Sequence, residues 1–291
     1  LLHRKVDSGE IADMEEALGM AAESDIIVAA VGENVMLCGE NRDRQGLRLP
    51  GRQEQYVEEL LATGKPVVLV VFGGRAQVVS GLAERCAAVI QAWYPGEEGG
   101  NAVADILYGN ISPSAKLSVS YPNEEVYEAM CYNYSAEQDP RVAWPFGYGL
   151  SYTTFEYSDL QLDAKASTSD KYVNLTFNVK NTGNVAADEV AQVYLSPTTD
   201  GQNIRPIQLQ GFARVSLEPG QTRAVSVKIH TEQFGYYTND GVRQWNIAPG
   251  TFEVKIGASS ADIRLYDKVT LTGKHVVKPL RDHYFSEVTV K

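Results

Sequence analysis

Along the first hundred positions of this chain, apolar residues recur in two alternating rhythms. Met14, Leu18 and Ala21, with Ile11 before them, fall at helical spacing through a Glu/Ala-rich stretch. A continuous apolar run over 25–31 follows, of the kind buried on both faces of a parallel sheet. After a polar, Gly-bearing loop over 32–51, Tyr56, Val57, Leu60 and Leu61 mark one face of a second helix over 52–63, with Gly64 placed to cap it. A strand over 66–72, a helix over 76–84, a strand over 87–93 and a helix over 100–108 complete the pattern. Three strand–loop–helix units predict an α/β domain with a parallel sheet.

From Phe155 onward the period drops to two. Val173, Leu175, Phe177 and Val179 alternate with polar residues, and so do Ala191, Val193 and Leu195. Val225, Val227 and Ile229 form a third such run, and Phe252, Val254 and Ile256 a fourth. Turn signals separate them: Glu218-Pro219-Gly220, Asn239-Asp240-Gly241 and Ala248-Pro249-Gly250. This is the pattern of a β-sandwich of immunoglobulin or fibronectin III type. No cysteine pair brackets Trp245, the candidate buried tryptophan, which favours the fibronectin III variety.

The expected class is therefore α/β plus all-β. The expected organisation is an α/β domain over 1–122, a linker rich in Tyr, Pro, Asn and Gly over 123–154, a β-sandwich over 155–273, and a polar, aromatic tail over 274–291. The tail is expected to pack on a neighbour or trail in solvent. Three strands are few for a doubly wound sheet and the chain opens at Leu1, so the first domain is expected to be N-terminally incomplete.

Charge narrows the partners. Twenty-six Lys and Arg against 37 Asp and Glu give a formal net charge of -11, with no basic cluster to offset it. Such a chain repels phosphate backbones and anionic membrane surfaces, so a neutral ligand fits better than nucleic acid or membrane. No run approaches the ~18 apolar residues of a membrane helix. Cys38, Cys86 and Cys131 show no CxxC spacing, and His3, His230, His275 and His283 lack paired ligand spacing, so no metal and no cofactor is expected. Gly73-Gly74-Arg75 and Gly96-Glu97-Glu98-Gly99-Gly100 follow strands as phosphate loops do, but neither matches a nucleotide motif. Both read as tight turns.

In open parallel sheets, ligands bind beyond the carboxyl ends of the strands. The loops over 32–51, 73–75 and 94–101 occupy that position here. The first is the most charged, with Glu33, Glu40, Arg42, Asp43, Arg44 and Arg48. On charge alone it reads either as a substrate-facing acid tuned by guanidinium groups or as a solvated loop with surface ion pairs.

The stretch Gly39-Glu40-Asn41-Arg42-Asp43-Arg44-Gln45-Gly46-Leu47-Arg48-Leu49-Pro50-Gly51 resembles the acid/base loop of glycoside hydrolase family 3, the β-glucosidase family. The segments from Lys65 to Arg75, from Trp93 to Gly100 with Ser114 to Leu117, and from Pro145 to Tyr152 resemble later landmarks of that family, in the same order. The resemblance implies a (β/α)8 barrel, then an α/β sandwich, then a fibronectin III-like domain, with this chain holding most of the second and all of the third. It places the nucleophilic Asp in the barrel, so this chain alone is expected to be inactive.

The resemblance further implies that Glu40 is the general acid/base. Glu33, its nearest competitor, belongs to the end of a strand. The implied activity is that of a retaining exo-β-glycosidase acting on β-linked glucosides or oligosaccharides, foremost a β-glucosidase, with β-xylosidase as the alternative specificity. A non-catalytic carbohydrate-binding or scaffold fragment is the competing class, and a nucleotide-binding protein a distant third. Family members are commonly exported, which implies a periplasmic or extracellular location. A retaining enzyme needs two carboxyls about 5–5.5 Å apart, one of them holding a proton for the leaving oxygen. A guanidinium pointed at that acid would depress its pKa. Arg42 and Arg44 are therefore expected to face away, onto Asp43 or the domain core. Tyr236 and Tyr237 are expected in core packing, with sugar stacking the lesser reading.

Overall fold

The computed structural model describes residues 14–125, 130–198, 207–238, 241 and 243–291. They form two compact units, one built from residues up to 108 with 119–132 and 136–144, the other from 109–118, 133–135 and 145–291.

In the first unit the two rhythms become helices around a small parallel sheet. The order is α1 (Met14–Ala22), β1 (Ile27–Gly32), α2 (Gln53–Ala62), β2 (Val67–Phe72), α3 (Ser80–Ala83), β3 (Ala88–Trp93) and α4 (Gly99–Leu107). Ile11 lies outside the described residues. Strands pair in the order β1-β2-β3, all parallel, with Ile27 opposite Val67 and Leu69 opposite Val89. The central strand β2 is apolar throughout because both of its faces are covered; Val67, Leu69, Val70 and Val71 are each at most 1% exposed. Ala21, Ala29, Val31, Val57, Leu60 and Leu82 pack around it.

The helix expected over 76–84 shrinks to the single turn α3. Backbone pairing pre-empts its first half: the Val78 N–H donates to Leu47 O at 2.9 Å, and Val78 bridges Arg48 in parallel register. Two short strands follow, β4 (Tyr121–Pro122) and β5 (Val142–Trp144), which pair antiparallel. The stretch over 123–154 thus contains a strand, and Trp144 packs on the core of this unit.

The second unit is β-rich. Its strands are β6 (Phe155–Leu162), β7 (Lys165–Ser167), β8 (Tyr172–Asn181), β9 (Ala187–Pro197), β10 (Gln208–Leu217), β11 (Thr222–His230), β12 (Tyr236–Tyr237), β13 (Trp245–Ile247), β14 (Gly250–Gly257), β15 (Ile263–Thr272), β16 (Val276–Lys278) and β17 (Glu287–Val290). One sheet runs β10-β9-β14-β15-β7 and a second β17-β11-β8-β6, with β12-β13-β16 as a smaller third. Every inward position of the four alternating runs is buried in one core, from Val173 to Ile256. That is the outcome of period-two patterning when one face of each sheet meets the other. Asn239-Asp240 lies outside the described residues, whereas Gly220 (φ 77°) makes the turn into β11.

Trp245 is buried, and its Nε1 donates to Glu232 O at 2.9 Å. Tyr237 sets its ring edge-on to Trp245 at 4.8 Å and carries Arg243 over its face at 4.9 Å. These contacts side with packing over sugar stacking. The tail is built into the unit: β17 pairs with β11, Val290 opposite Val225, and β16 pairs with β13. No helix among the described residues is long and apolar enough to cross a membrane.

Candidate functional site

The charged loop leaves the carboxyl end of β1 under tight backbone control. Gly32 holds φ at 126°, and a Cβ there would lie 1.7 Å from Phe72 O, so only glycine fits. Gln53, the first residue of α2, clamps that glycine on both sides: its Oε1 accepts from Gly32 N at 2.6 Å and its Nε2 donates to Gly32 O at 3.0 Å. The next N–H, of Glu33, donates to Phe72 O at 2.8 Å. The result drives the Glu33 side chain inward, where it is 0% exposed.

A buried carboxylate needs cationic or hydrogen-bonding partners. Glu33 Oε1 accepts from Arg44 Nη1 and from Arg75 Nη1, both at 2.6 Å. Arg75 goes further, with Nη1 donating to Leu37 O at 2.8 Å and Nη2 to Arg42 O at 2.7 Å. Arg44 Nη2 donates to Arg48 O at 2.9 Å. The far end of the loop is held by Glu125, whose carboxylate accepts from Leu47 N at 2.9 Å and Arg48 N at 2.8 Å.

Glu40 stands at the tip between these anchors, flanked by Gly39 (φ 145°) and Asn41 (φ 57°). It is exposed, and among the described residues it makes no hydrogen bond or ion pair. Arg42 and Arg44 both turn elsewhere, as expected. Arg44 lies on Glu33; Arg42 donates to Val35 O and contacts Met36 Sδ at 3.7 Å. Neither pairs with Asp43. Of the two acidic candidates in the loop, the fold buries one between cations and leaves the other uncommitted at the surface.

The other two loops at this end of the sheet frame the tip. A Cβ on Gly74 would meet the Cys38 thiol at 2.5 Å and the Tyr94 ring at 3.2 Å, so the turn after β2 packs directly on the loop. Burial, then the hydrogen bond with the Cys38 thiol, pushes the Tyr94 phenol above its ordinary pKa. Trp93, at the end of β3, holds a φ of 53°, a costly conformation for a bulky side chain, with its ring edge-on to Tyr121 at 6.0 Å. Arg75, Gln53 and Glu125 were not singled out from sequence as site residues. The available signal for Arg75 was its place, immediately after a buried parallel strand; Glu125 sits far along the chain and gave none.

Two of the histidines without paired spacing, His230 and His283, come together elsewhere. In the second unit the His230 and His283 rings stack at 3.5 Å and 8° beside Glu232, and ligand atoms of the three lie within 4.8 Å of one another. The geometry suits packing better than metal binding. Two parallel rings aim their lone pairs in separate planes, His230 Nδ1 already accepts from Glu232 N at 3.2 Å, and the Lys278 ammonium occupies the Glu232 carboxylate.

Comparison with known proteins agrees with this architecture. The glycosyl hydrolase family 3 C-terminal domain matches residues 6–152, and the fibronectin type III-like domain matches residues 189–260. A β-xylosidase of Formosa agariphila is 34% identical over 266 residues, covering 88% of this chain and 36% of that protein. A periplasmic β-glucosidase of Salmonella typhimurium is 34% identical over 270 residues, covering 86% of this chain and 35% of its own length. Among solved structures, the β-glucosidase of Listeria innocua in complex with glucose superposes with a TM-score of 0.81 at 29% identity, covering 91% of this chain and 39% of that one. The chain thus spans little more than a third of the length of these relatives. With one family domain over its first half, a fibronectin-like domain after it and a matching fold throughout, the chain belongs to glycoside hydrolase family 3.

Proposed function

We propose that this chain is the acid/base-bearing portion of a retaining exo-β-glycosidase, with Glu40 as the general acid/base and β-glucosides as substrate. The observation that carries the reading is the uncommitted Glu40 carboxylate, exposed at the tip of an anchored loop beyond a parallel sheet. A group that protonates a leaving oxygen and then deprotonates water has to reach the substrate and must not be locked to a resident cation. Glu40 meets both conditions and Glu33 meets neither. The nucleophile is assigned to a barrel domain outside this chain, so turnover requires the intact protein. Carrying the acid on a separate loop makes its placement over the sugar a positioning step.

A second specificity, β-xylosidase, is favoured by the name of the Formosa relative. A periplasmic or extracellular site of action is supported by the name of the Salmonella relative.

The test uses the intact gene product with and without Glu40→Ala, on nitrophenyl β-glucoside, nitrophenyl β-xyloside and a disaccharide with a poor leaving group. We expect a roughly 100-fold or greater loss on the disaccharide and a milder one on the activated aryl glycosides. On the activated aryl glycosides, which form the glycosyl-enzyme without acid assistance, added azide should restore turnover by attacking that intermediate to give a glycosyl azide of β configuration. Disaccharide hydrolysis near the wild-type rate in Glu40→Ala would remove Glu40 from the role. Inactivity of the intact wild type on every glycoside would move a carbohydrate-binding scaffold to first place.

A further inference from the structure

We propose that Arg75 is the positioning residue for Glu40, a role that rests on reading Glu40 as the acid/base. Its one guanidinium joins three acceptors: the buried Glu33 Oε1 at 2.6 Å, Leu37 O at 2.8 Å and Arg42 O at 2.7 Å. The two carbonyls belong to the limbs of the loop on either side of Glu40, three residues before it and two after. Closing both limbs on one rigid fork fixes the path of the short segment between them, and Glu40 is in that segment.

The anchor under the fork is itself part of the sheet. Glu33 leaves β1 at a glycine that accepts no side chain, has its N–H on Phe72 O at 2.8 Å, and buries its carboxylate completely. The connection from sheet to loop tip therefore runs through the buried Glu33 carboxylate and the half-buried Arg75 guanidinium, hydrogen-bonded to each other and to both limbs. A lysine in place of Arg75 would keep a cation on Glu33, yet its single ammonium lacks the planar fork that spans two carbonyls. Arg44 shares Glu33 but bonds Arg48 O, on the descending limb, and leaves the tip alone. On this reading Glu33 and Arg75 act through Glu40.

The experiment compares intact wild type, Arg75→Ala, Glu40→Ala and the double variant, with rates counted per functional site by burst titration using a slow fluoroglycoside. The reporter is kcat/KM on a disaccharide, whose leaving group needs protonation, against kcat/KM on a dinitrophenyl glycoside, whose leaving group does not. Arg75→Ala should lose roughly 100-fold on the disaccharide, the scale of a misplacement of about 1 Å, and about threefold or less on the dinitrophenyl substrate. In the Glu40→Ala background it should lose nothing more. Equal losses on both substrates, or losses that multiply in the double variant, would overturn the positioning role, because a merely structural residue acts that way. Should Arg75→Ala fail to fold, Arg75→Lys carries the same test and the same expected split. Failure of the Glu40 reading itself would appear separately, in the Glu40→Ala single variant.

Discussion

The carboxylate of Glu232 holds the C-terminal tail, and replacing it with glutamine tests how. Its side chain is 8% exposed and accepts from Lys278 Nζ, from Asp282 N at 2.8 Å and from His283 N at 3.1 Å, with His283 Nδ1 at 3.3 Å. Burial acts to raise its pKa, but the hydrogen bonds from Lys278, the Asp282 and His283 backbones and the His283 ring outweigh it and bring it down to about 2 from 4.5. At about 1.4 kcal/mol per unit, the ionised clasp contributes about 3 kcal/mol to the folded tail. Because the folded pKa is depressed, that contribution is fully present above about pH 4.5 and is lost as pH falls toward 2.

His230 gives a separate, milder step. Burial first, then the charge of neighbouring His283, lowers its pKa below 6.5, and Lys171 and Lys278 act the same way against Glu232. Tyr172 closes the other side of the ring edge-on at 5.5 Å. Neutral His230 keeps the Nδ1 lone pair that caps Glu232 N, so this stabilisation is present above pH 6.5 and declines as pH falls below it. Hydrogen exchange read by mass spectrometry on peptides covering β16 and β17 resolves both, once intrinsic rates are corrected. At pH 7, Glu232→Gln should speed exchange in the tail by on the order of 100-fold and leave β8 and β14 unchanged. It should also abolish the wild-type loss of tail protection between pH 4.5 and 2. Unchanged tail protection in the variant at pH 7, or a wild-type tail insensitive to pH down to 3, would refute the clasp.

Two further substitutions test the scaffold. Asn181 is 0% exposed; its Nδ2 donates to Val185 O at 2.8 Å and Leu217 O at 3.1 Å, and its Oδ1 accepts from Thr153 Oγ1 at 2.6 Å and Gly183 N at 3.1 Å. Asn181→Ala orphans these groups and should cost about 3 kcal/mol, read as a lower denaturant midpoint for the second unit. Gly32→Ala would drive a methyl to 1.7 Å from Phe72 O, which no side-chain movement relieves. A loss above about 4 kcal/mol is expected, with the first unit insoluble or protease-sensitive; a wild-type midpoint would show that β1 and β2 separate more easily than their pairing implies.

The fold was legible where burial obeys a local period. Val173 to Val179 alternate in sequence and alternate in the core, because a strand's period is two whatever its partners are. The four-residue α3 was not legible as such: residues 76–79 carry helical propensity, and a backbone hydrogen bond to Leu47, about thirty positions away, decides against it. The tail, expected either to pack on a neighbour or to trail in solvent, left that choice open in sequence for the same reason. Glu287-Val288-Thr289-Val290 alternates like any edge strand, but its register against β11 depends on contacts some sixty residues distant in sequence. Likewise His230 and His283, 53 positions apart in sequence, come together only in the folded unit, where β17 pairs with β11 and Glu232 clasps the tail.

The site shows the same division more sharply. Spacing brought Glu33, Glu40, Arg42 and Arg44 into one loop, and on charge alone either carboxylate fits either fate. What separates them is the backbone before and the cations behind. Gly32 turns the chain so that Glu33 enters the interior, and an interior carboxylate is tolerable only with partners such as Arg44 and Arg75. Those same bonds take Arg44 away from the loop tip, and Arg75, by holding Leu37 O and Arg42 O, shapes the tip around the remaining acid. One buried carboxylate therefore does two things at once: it removes a cation from the neighbourhood of Glu40 and fixes the path of the chain that carries it. On the proposed reading of Glu40, a loop without Glu33 would carry its exposed carboxylate in no defined place, and a loop with both Arg side chains on Glu40 would lock that carboxylate into ion pairs instead of leaving it uncommitted.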